Sequence, residues 1–232
     1  MIESGVKGLM TCVIGYKTDN GVYIGGDTLA SNGYLNTIRQ DGKVFERGEF
    51  LIGFSGSYRV GQLLRYKLNV PEQPSDMDDY EYMVTFFIDS VRELFAENGV
   101  MGKDDDDTDK GGLFLVAYHR ELYSVDYDFQ VGILAYGYDA IGSGAEVALG
   151  AMYVLNDFDL EPEEKISRAI LAASELTPFV GGDITIYKQE YNEELDKFFQ
   201  LAKIAKSMGD EDLRMSKDYL IALDDIRKKE KE

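Results

Sequence analysis

The 232-residue chain has no tryptophan, one cysteine, one histidine and four prolines. The single cysteine, Cys12, excludes an internal disulfide framework and any cysteine-based zinc cluster. The single histidine, His119, excludes a multi-histidine metal site and leaves any Ser-His-Asp mechanism dependent on one residue. His119 sits in an apolar run between Tyr118 and Arg120 and reads as a strand surface residue. Cys12 has no identifiable base and reads as a buried strand residue. Basic residues are also scarce: 24 Lys and Arg face 43 Asp and Glu, a net charge of −19. Such a chain neither neutralises phosphates nor docks on an anionic bilayer, so no nucleic acid and no membrane is expected as a partner. No run reaches the roughly 18 apolar residues of a membrane span. The opening MIESGVKGLM lacks the apolar core of a secretion signal, so a cytoplasmic location is expected, in keeping with the lone thiol. Neither GxxxxGK[ST], HExxH nor GxSxG occurs, and no GxGxxG stands at a strand–helix junction.

What is present is a globular composition, 44% hydrophobic and 29% charged, long enough to bury a full core. Thr11–Lys17 and Val22–Asp27 are β-rich runs around Asp19-Asn20-Gly21, and Asn-Gly is a strong hairpin signal. Lys43–Arg47 and Phe50–Ser55 follow, split by Gly48. Val60, Leu63, Leu64 and Leu68 then recur at helical spacing over Ser57–Leu68. After a Pro-containing linker from Pro71, apolar residues from Tyr80 to Phe95 predict a second amphipathic helix, stopped by Asn98-Gly99. The acidic loop 103–109 reads as a solvated surface, since it lacks the spaced ligands of an EF-hand. Strands are expected at Leu113–His119, Glu121–Asp126 and Val131–Ile141. Helices are expected at Ala145–Leu155 and from Pro162, which suits a helix start. Gly181-Gly182 leads into strand Asp183–Lys188, and a charged helical tail closes the chain. Blocks of strands alternating with helix pairs predict an α+β fold, two antiparallel sheets with helices outside.

The segments TCVIGYKTDNGVYIGGDT, KVFERGEFLIGFSGS, AIGSGAEVALGA and VGGDITIY resemble the proteasome β-type family of N-terminal nucleophile hydrolases. They are most similar to its bacterial HslV-type branch, the peptidase subunit of a two-component ATP-dependent protease. The likeness runs over about residues 11–190 in order, with Asp27 16 residues after Thr11 and Lys43 32 after it. It implies a four-layer αββα sandwich over 11–190, preceded by a segment 1–10 and followed by a helical extension 191–232. It implies Thr11 as nucleophile, Lys43 beside it, Asp27 paired with Lys43, the Gly56 N–H as oxyanion donor and Ser143 supporting the hydroxyl and amine. A polypeptide substrate, a homo-oligomeric ring and a separate AAA+ unfoldase ATPase follow as implied partners. No cofactor is required. The bacterial branch also implies a structural monovalent cation on the backbone carbonyls of Gly182, Thr185 and Lys188. Taken singly, Asp27 and Lys43 also fit an ordinary surface ion pair, and Gly56 and the GSG of residues 142–144 fit simple turns.

The chemistry stands on the residues as well. A threonine hydroxyl needs a base, and without a usable histidine its own α-amine serves. With a pKa near 7.8, about 14% of such an amine is neutral at pH 7, and a drop of one unit raises this to about 60%. A lysine ammonium nearby produces that drop by repulsion. Three departures from the family pattern stand out. Ten residues precede Thr11, and the residue before it is Met10 rather than the glycine usual for self-cleavage, so either 1–10 is removed or translation starts at Met10 and the Met is trimmed. Thr177 and Val180 occupy positions where proteasome β subunits carry an Asp and a Ser. The tail is longer than in the bacterial type. Two other functions remain open at this point, a shell subunit blocked at Thr11 and an N-terminal nucleophile amidase acting on small molecules.

Overall fold

The computed structural model describes residues 11–31, 35–74, 77–103 and 109–191. The expectations for residues 1–10, for most of the acidic loop and for the tail beyond 191 fall outside them.

Strands β1 (Val13–Thr18) and β2 (Gly21–Asp27) form the expected hairpin, with Thr18 paired to Gly21. The two turn residues are therefore Asp19 and Asn20, and the positive φ falls on Gly21, at +152°. The Thr18 hydroxyl accepts from Asn20 N–H and donates to the Gly21 carbonyl, which replaces the expected Asn-Gly turn geometry. A short hairpin not foreseen from the sequence follows, β3 (Leu29–Ser31) with β4 (Asn36–Ile38). Then come β5 (Val44–Arg47), β6 (Phe50–Ser55) and helix α1 (Tyr58–Tyr66), capped by the Ser57 hydroxyl. The second helix starts at α2 (Asp79–Tyr82) under an Asp78 cap. It passes through a π-helical turn, Met83–Phe87, and continues as α3 (Ile88–Glu97).

After the short pair β7 (Gly102–Lys103) and β8 (Asp109–Lys110), strands β9 (Leu113–Tyr118) and β10 (Glu121–Val125) return through a turn at His119, whose φ is +50°. His119 is thus a turn residue rather than a strand one. The single strand expected over Val131–Ile141 is two: β11 (Val131–Gly132) pairs with β10, and β12 (Tyr138–Ile141) pairs with β1 in the other sheet. The chain changes sheet through a turn in which Gly137 takes a φ of +73°. Helices α4 (Ala145–Leu155) and α5 (Pro162–Leu176) and strand β13 (Ile184–Glu190) complete the described chain.

Apart from the β3–β4 and β7–β8 pairs, the described strands form two antiparallel sheets, ordered β12-β1-β2-β13 and β11-β10-β9-β6-β5. Val13, Ile24, Val44, Leu51, Leu115 and Ile141 fill the space between them. On the outer face of the five-stranded sheet Phe50, Phe54 and Phe114 pack against Leu63, Leu64, Phe87 and Val91 of α1 and the second helix. On the outer face of the four-stranded sheet Ile14 and Tyr23 pack against Ala148, Met152, Ile166 and Ile170 of α4 and α5. The fold is the α+β, four-layer αββα sandwich expected. Both faces of the five-stranded sheet are covered, so its inner strands β6 and β9 read as nearly continuous hydrophobic runs rather than alternating ones.

Candidate active site

The site lies where β1 begins, β2 and β12 end, and the chain enters β5. Thr11 immediately precedes Cys12 and β1, and both residues are buried. The Cys12 N–H donates to Asp27 Oδ1 at 2.9 Å, and the Asp27 N–H returns a bond to the Cys12 carbonyl at 3.2 Å. Lys43 Nζ donates to the same Oδ1 at 2.6 Å and to the Leu29 carbonyl at 2.7 Å. Oδ2 accepts from the N–H groups of Leu29 at 3.3 Å and Gly181 at 3.1 Å. Four donors therefore converge on one carboxylate whose side chain is 0% exposed, opposite a lysine side chain 1% exposed. This is a buried, backbone-anchored ion pair, which removes the surface-pair reading.

Burial pushes the Lys43 ammonium below the ordinary lysine value, and Asp27 offsets part of that. Burial also pushes the Cys12 thiol up to about 12, with the Asp27 charge adding to the effect and Lys43 opposing it. The thiol stays protonated at neutral pH and is no nucleophile.

Ser143 is brought to Thr11 from 132 residues away: the Thr11 N–H donates to Ser143 Oγ at 3.4 Å. The Thr11 carbonyl accepts from Gly144 N–H at 3.1 Å and from Ser143 Oγ at 3.5 Å. The GSG of 142–144 is thus a turn bound to the first residue of the described chain. Gly56 stands at the junction between β6 and the α1 cap, with a φ of +90° that a side chain would strain. Beside it, the Ser55 hydroxyl is buried with no hydrogen-bond partner among the described residues, and it lies 3.0 Å from where a β-carbon on Gly142 would be. Nothing in the sequence singled out Ser55.

The region of Thr177 and Val180 reaches the site through its main chain. Thr177 spends both its N–H and its hydroxyl on the Ala173 carbonyl at the end of α5. Val180 is buried against Cys12 and Gly144, and its carbonyl accepts from Ser174 Oγ at 3.2 Å. The next residue, Gly181, supplies the N–H on Asp27. This region therefore meets Asp27 through a main-chain donor rather than through the side chains of 177 or 180.

Gly182 lies in the turn before β13, while Thr185 and Lys188 lie within that strand, paired with Gly26 and Tyr23. Carbonyls three residues apart along a strand point to opposite edges and stand about 10 Å apart. The strand does not bring the carbonyls of Thr185 and Lys188 to one ion, so the expected cation site does not fit these residues. Among the described residues no group of three or more His, Cys, Asp or Glu side chains is placed to hold a metal. No described helix is long and apolar enough to cross a membrane.

No family model and no curated protein matches the chain. Solved structures do. The Thiobacillus denitrificans protein BPH in complex with epoxomicin is 21% identical, with a TM-score of 0.65, over 78% of this chain and 99% of that one. BPH without the ligand gives 0.64 at the same identity, over 78% and 98%. The eukaryotic HslV of Trypanosoma brucei gives 0.56, also at 21% identity, over 78% and 99%. The chain has the HslV-like, proteasome β-type peptidase fold.

Proposed function

We propose that this chain is an N-terminal threonine peptidase, with Thr11 as nucleophile and its own α-amine as base once Thr11 begins the mature chain. The observation that carries the reading is the Asp27–Lys43 pair, 2.6 Å apart, buried, and tied by Asp27 to the Cys12 N–H, the peptide bond after the nucleophile. An ordinary ion pair gains little from burial, because desolvation offsets the attraction. A pair placed against the start of β1 has a function to explain that cost.

In the reaction Thr11 Oγ1 bonds to the scissile carbonyl carbon while the α-amine takes its proton and the carbonyl π pair moves to oxygen. Lys43 lowers the proton affinity of that amine by its positive charge, and Asp27 holds Lys43 in place. Ser143 Oγ, against the Thr11 nitrogen, steers the amine proton. The Gly56 N–H faces the developing oxyanion, where one donor is worth about 10²–10³ in rate. The C–N bond then breaks, and the leaving amine carries away the proton. Water attacks the Thr11 ester, giving its proton to the α-amine, and the hydroxyl is restored with release of the acid. Polypeptide is the substrate class in this reading. Enclosure in a homo-oligomeric ring fed by a separate AAA+ ATPase is its extension to the assembly.

The test is intact mass and N-terminal sequencing of wild type and Thr11→Ala, with turnover of fluorogenic peptides and labelling by epoxomicin. A wild-type chain that starts at Thr11, cleaves peptide and gains the inhibitor mass, with both activities lost in Thr11→Ala, supports the reading. A chain that keeps residues before Thr11 and turns over nothing overturns it in favour of a blocked shell subunit.

A further inference from the structure

The segment 39–44 carries Lys43 from β4 into β5, and α1 grips it at both ends. At the first residue of α1, the Arg39 guanidinium lies 4.1 Å from the Tyr58 ring centroid. The Arg39 N–H donates to the Thr28 carbonyl at 3.0 Å, one residue after Asp27. In the last turn of α1, Arg65 Nη2 donates to the Gly42 carbonyl at 2.6 Å and to the Val44 carbonyl at 3.3 Å. Its guanidinium rests 4.5 Å from the Phe45 ring centroid. The Lys43 carbonyl itself accepts from Phe54 N–H at 3.0 Å.

Three consecutive carbonyls around Lys43 are therefore held, the middle one by β6 and the flanking two by a single guanidinium. β5 is the outer strand of its sheet, so among the described residues no further strand binds the carbonyls of Gly42 and Val44. A guanidinium is planar and presents its donors in a rigid fork, whereas the lysine it fixes has a flexible four-carbon stem. Holding the main chain on both sides of Lys43 narrows where its ammonium can go.

We propose that Arg65 is a positioning residue for the hydrolysis: by binding the carbonyls before and after Lys43 it sets the ammonium against Asp27 and the Thr11–Cys12 peptide. The proposal rests on the peptidase reading for its effect on rate, but its structural core is independent of it.

Arg47 supplies the control. At the far end of β5 its Nε and Nη2 donate to the Leu68 carbonyl at 2.8 and 2.6 Å, tying the same strand to the chain just beyond α1 without touching residues 42–44. Two readouts are taken on full-length Arg65→Met, Arg65→Lys and Arg47→Met: kcat and KM on a fluorogenic peptide, and the titration of the Lys43 side chain followed by NMR. The charged and titratable groups that act on Lys43 are Asp27 from β2 and Cys12 from the start of β1.

Arg65→Met is expected to lower kcat by about 10- to 100-fold, the scale of a misplacement near 1 Å, with KM within about twofold. It is expected to move the Lys43 titration up toward 10.5 as water enters. Arg65→Lys, whose ammonium still reaches one carbonyl, recovers part of both. Arg47→Met lowers stability but leaves kcat and the Lys43 titration as in wild type. If Arg65→Met behaves like Arg47→Met in both readouts, Arg65 merely covers a sheet edge and the proposal is overturned. Should Arg65→Met not fold, a wild-type Lys43 titration and kcat in Arg65→Lys overturns it equally. If the wild-type protein cleaves no peptide but Arg65→Met still shifts the Lys43 titration from its wild-type position, the positioning role stands and the peptidase reading is removed instead.

Discussion

Gly142 approaches Thr11 so closely that a β-carbon at position 142 would stand 2.2 Å from the Thr11 carbonyl oxygen. Its φ of +97° is one that side chains rarely adopt. The contact places Ser143 at the Thr11 nitrogen and Gly144 N–H at the Thr11 carbonyl. Gly142→Ala is therefore expected to destabilise the fold by about 1–3 kcal/mol through backbone strain alone. Peptidase activity falls further than the loss of folded protein accounts for, because Ser143 moves with the turn. Urea unfolding beside kcat on the folded fraction checks this.

Removing one partner of the buried pair strands the other. Asp27→Ala leaves the Lys43 ammonium and the N–H groups of Cys12, Leu29 and Gly181 without their acceptor, and a cost of about 3–5 kcal/mol is expected. Asp27→Ala combined with Lys43→Met removes the stranded charge and regains part of that stability. In the proposed reaction turnover stays down by about 10²-fold or more in both, since the group proposed to tune the amine is gone or displaced. A double variant with wild-type kcat would show that the pair serves the fold alone.

The Cys12 thiol titrates near 12 in the folded chain against 9.0 for an exposed thiol. Its folded value is the higher one, so the stabilisation it contributes is present below pH 9 and is lost as pH rises from 9 through 12. The accompanying expectation is kinetic: iodoacetamide at pH 8 alkylates Cys12 only at the rate of unfolding, and promptly in denaturant. Rapid alkylation of the native protein, read by mass, would contradict the burial.

Ser55 keeps a buried hydroxyl with no partner among the described residues. A hydroxyl in that state costs about 1–3 kcal/mol relative to one that is bonded. Ser55→Ala is thus expected to leave thermal stability unchanged or raise it by about 1 kcal/mol, the reverse of most buried substitutions. A clear drop in the unfolding midpoint would mean that Ser55 is bonded in solution.

Much of this fold could be read from local pattern, and the places where it could not share one cause. Phe50–Ser55 and Ala145–Leu155 have the expected bounds because strong β-formers and a Gly-flanked helical run specify them without help from elsewhere. Val131–Ile141 misleads because its residues suit a strand throughout, while the choice of partner, β10 for one end and β1 for the other, is made across the sandwich. The β3–β4 hairpin is two three-residue strands, too short for a periodic signal. In the site, Thr11, Asp27, Lys43 and Ser143 stood out through the resemblance of their segments to the proteasome β-type family. Leu29, Gly181 and Arg65 did not, because two of them act through main-chain groups that every residue carries, and the third acts on main-chain carbonyls.

By itself the sequence determined the class of the protein: acidic, with a single thiol and a single imidazole, built from apolar strands and amphipathic helices in an order that leaves two sheets between two helix layers. It also restricted the chemistry, since a chain without usable histidine or cysteine must find its base elsewhere. Only the tertiary structure decided that Asp27 and Lys43 are a buried pair rather than a surface one. Desolvation, four converging donors and the closeness of the Thr11–Cys12 peptide are all properties of groups far apart in the chain, and local spacing carries no information about which of them meet.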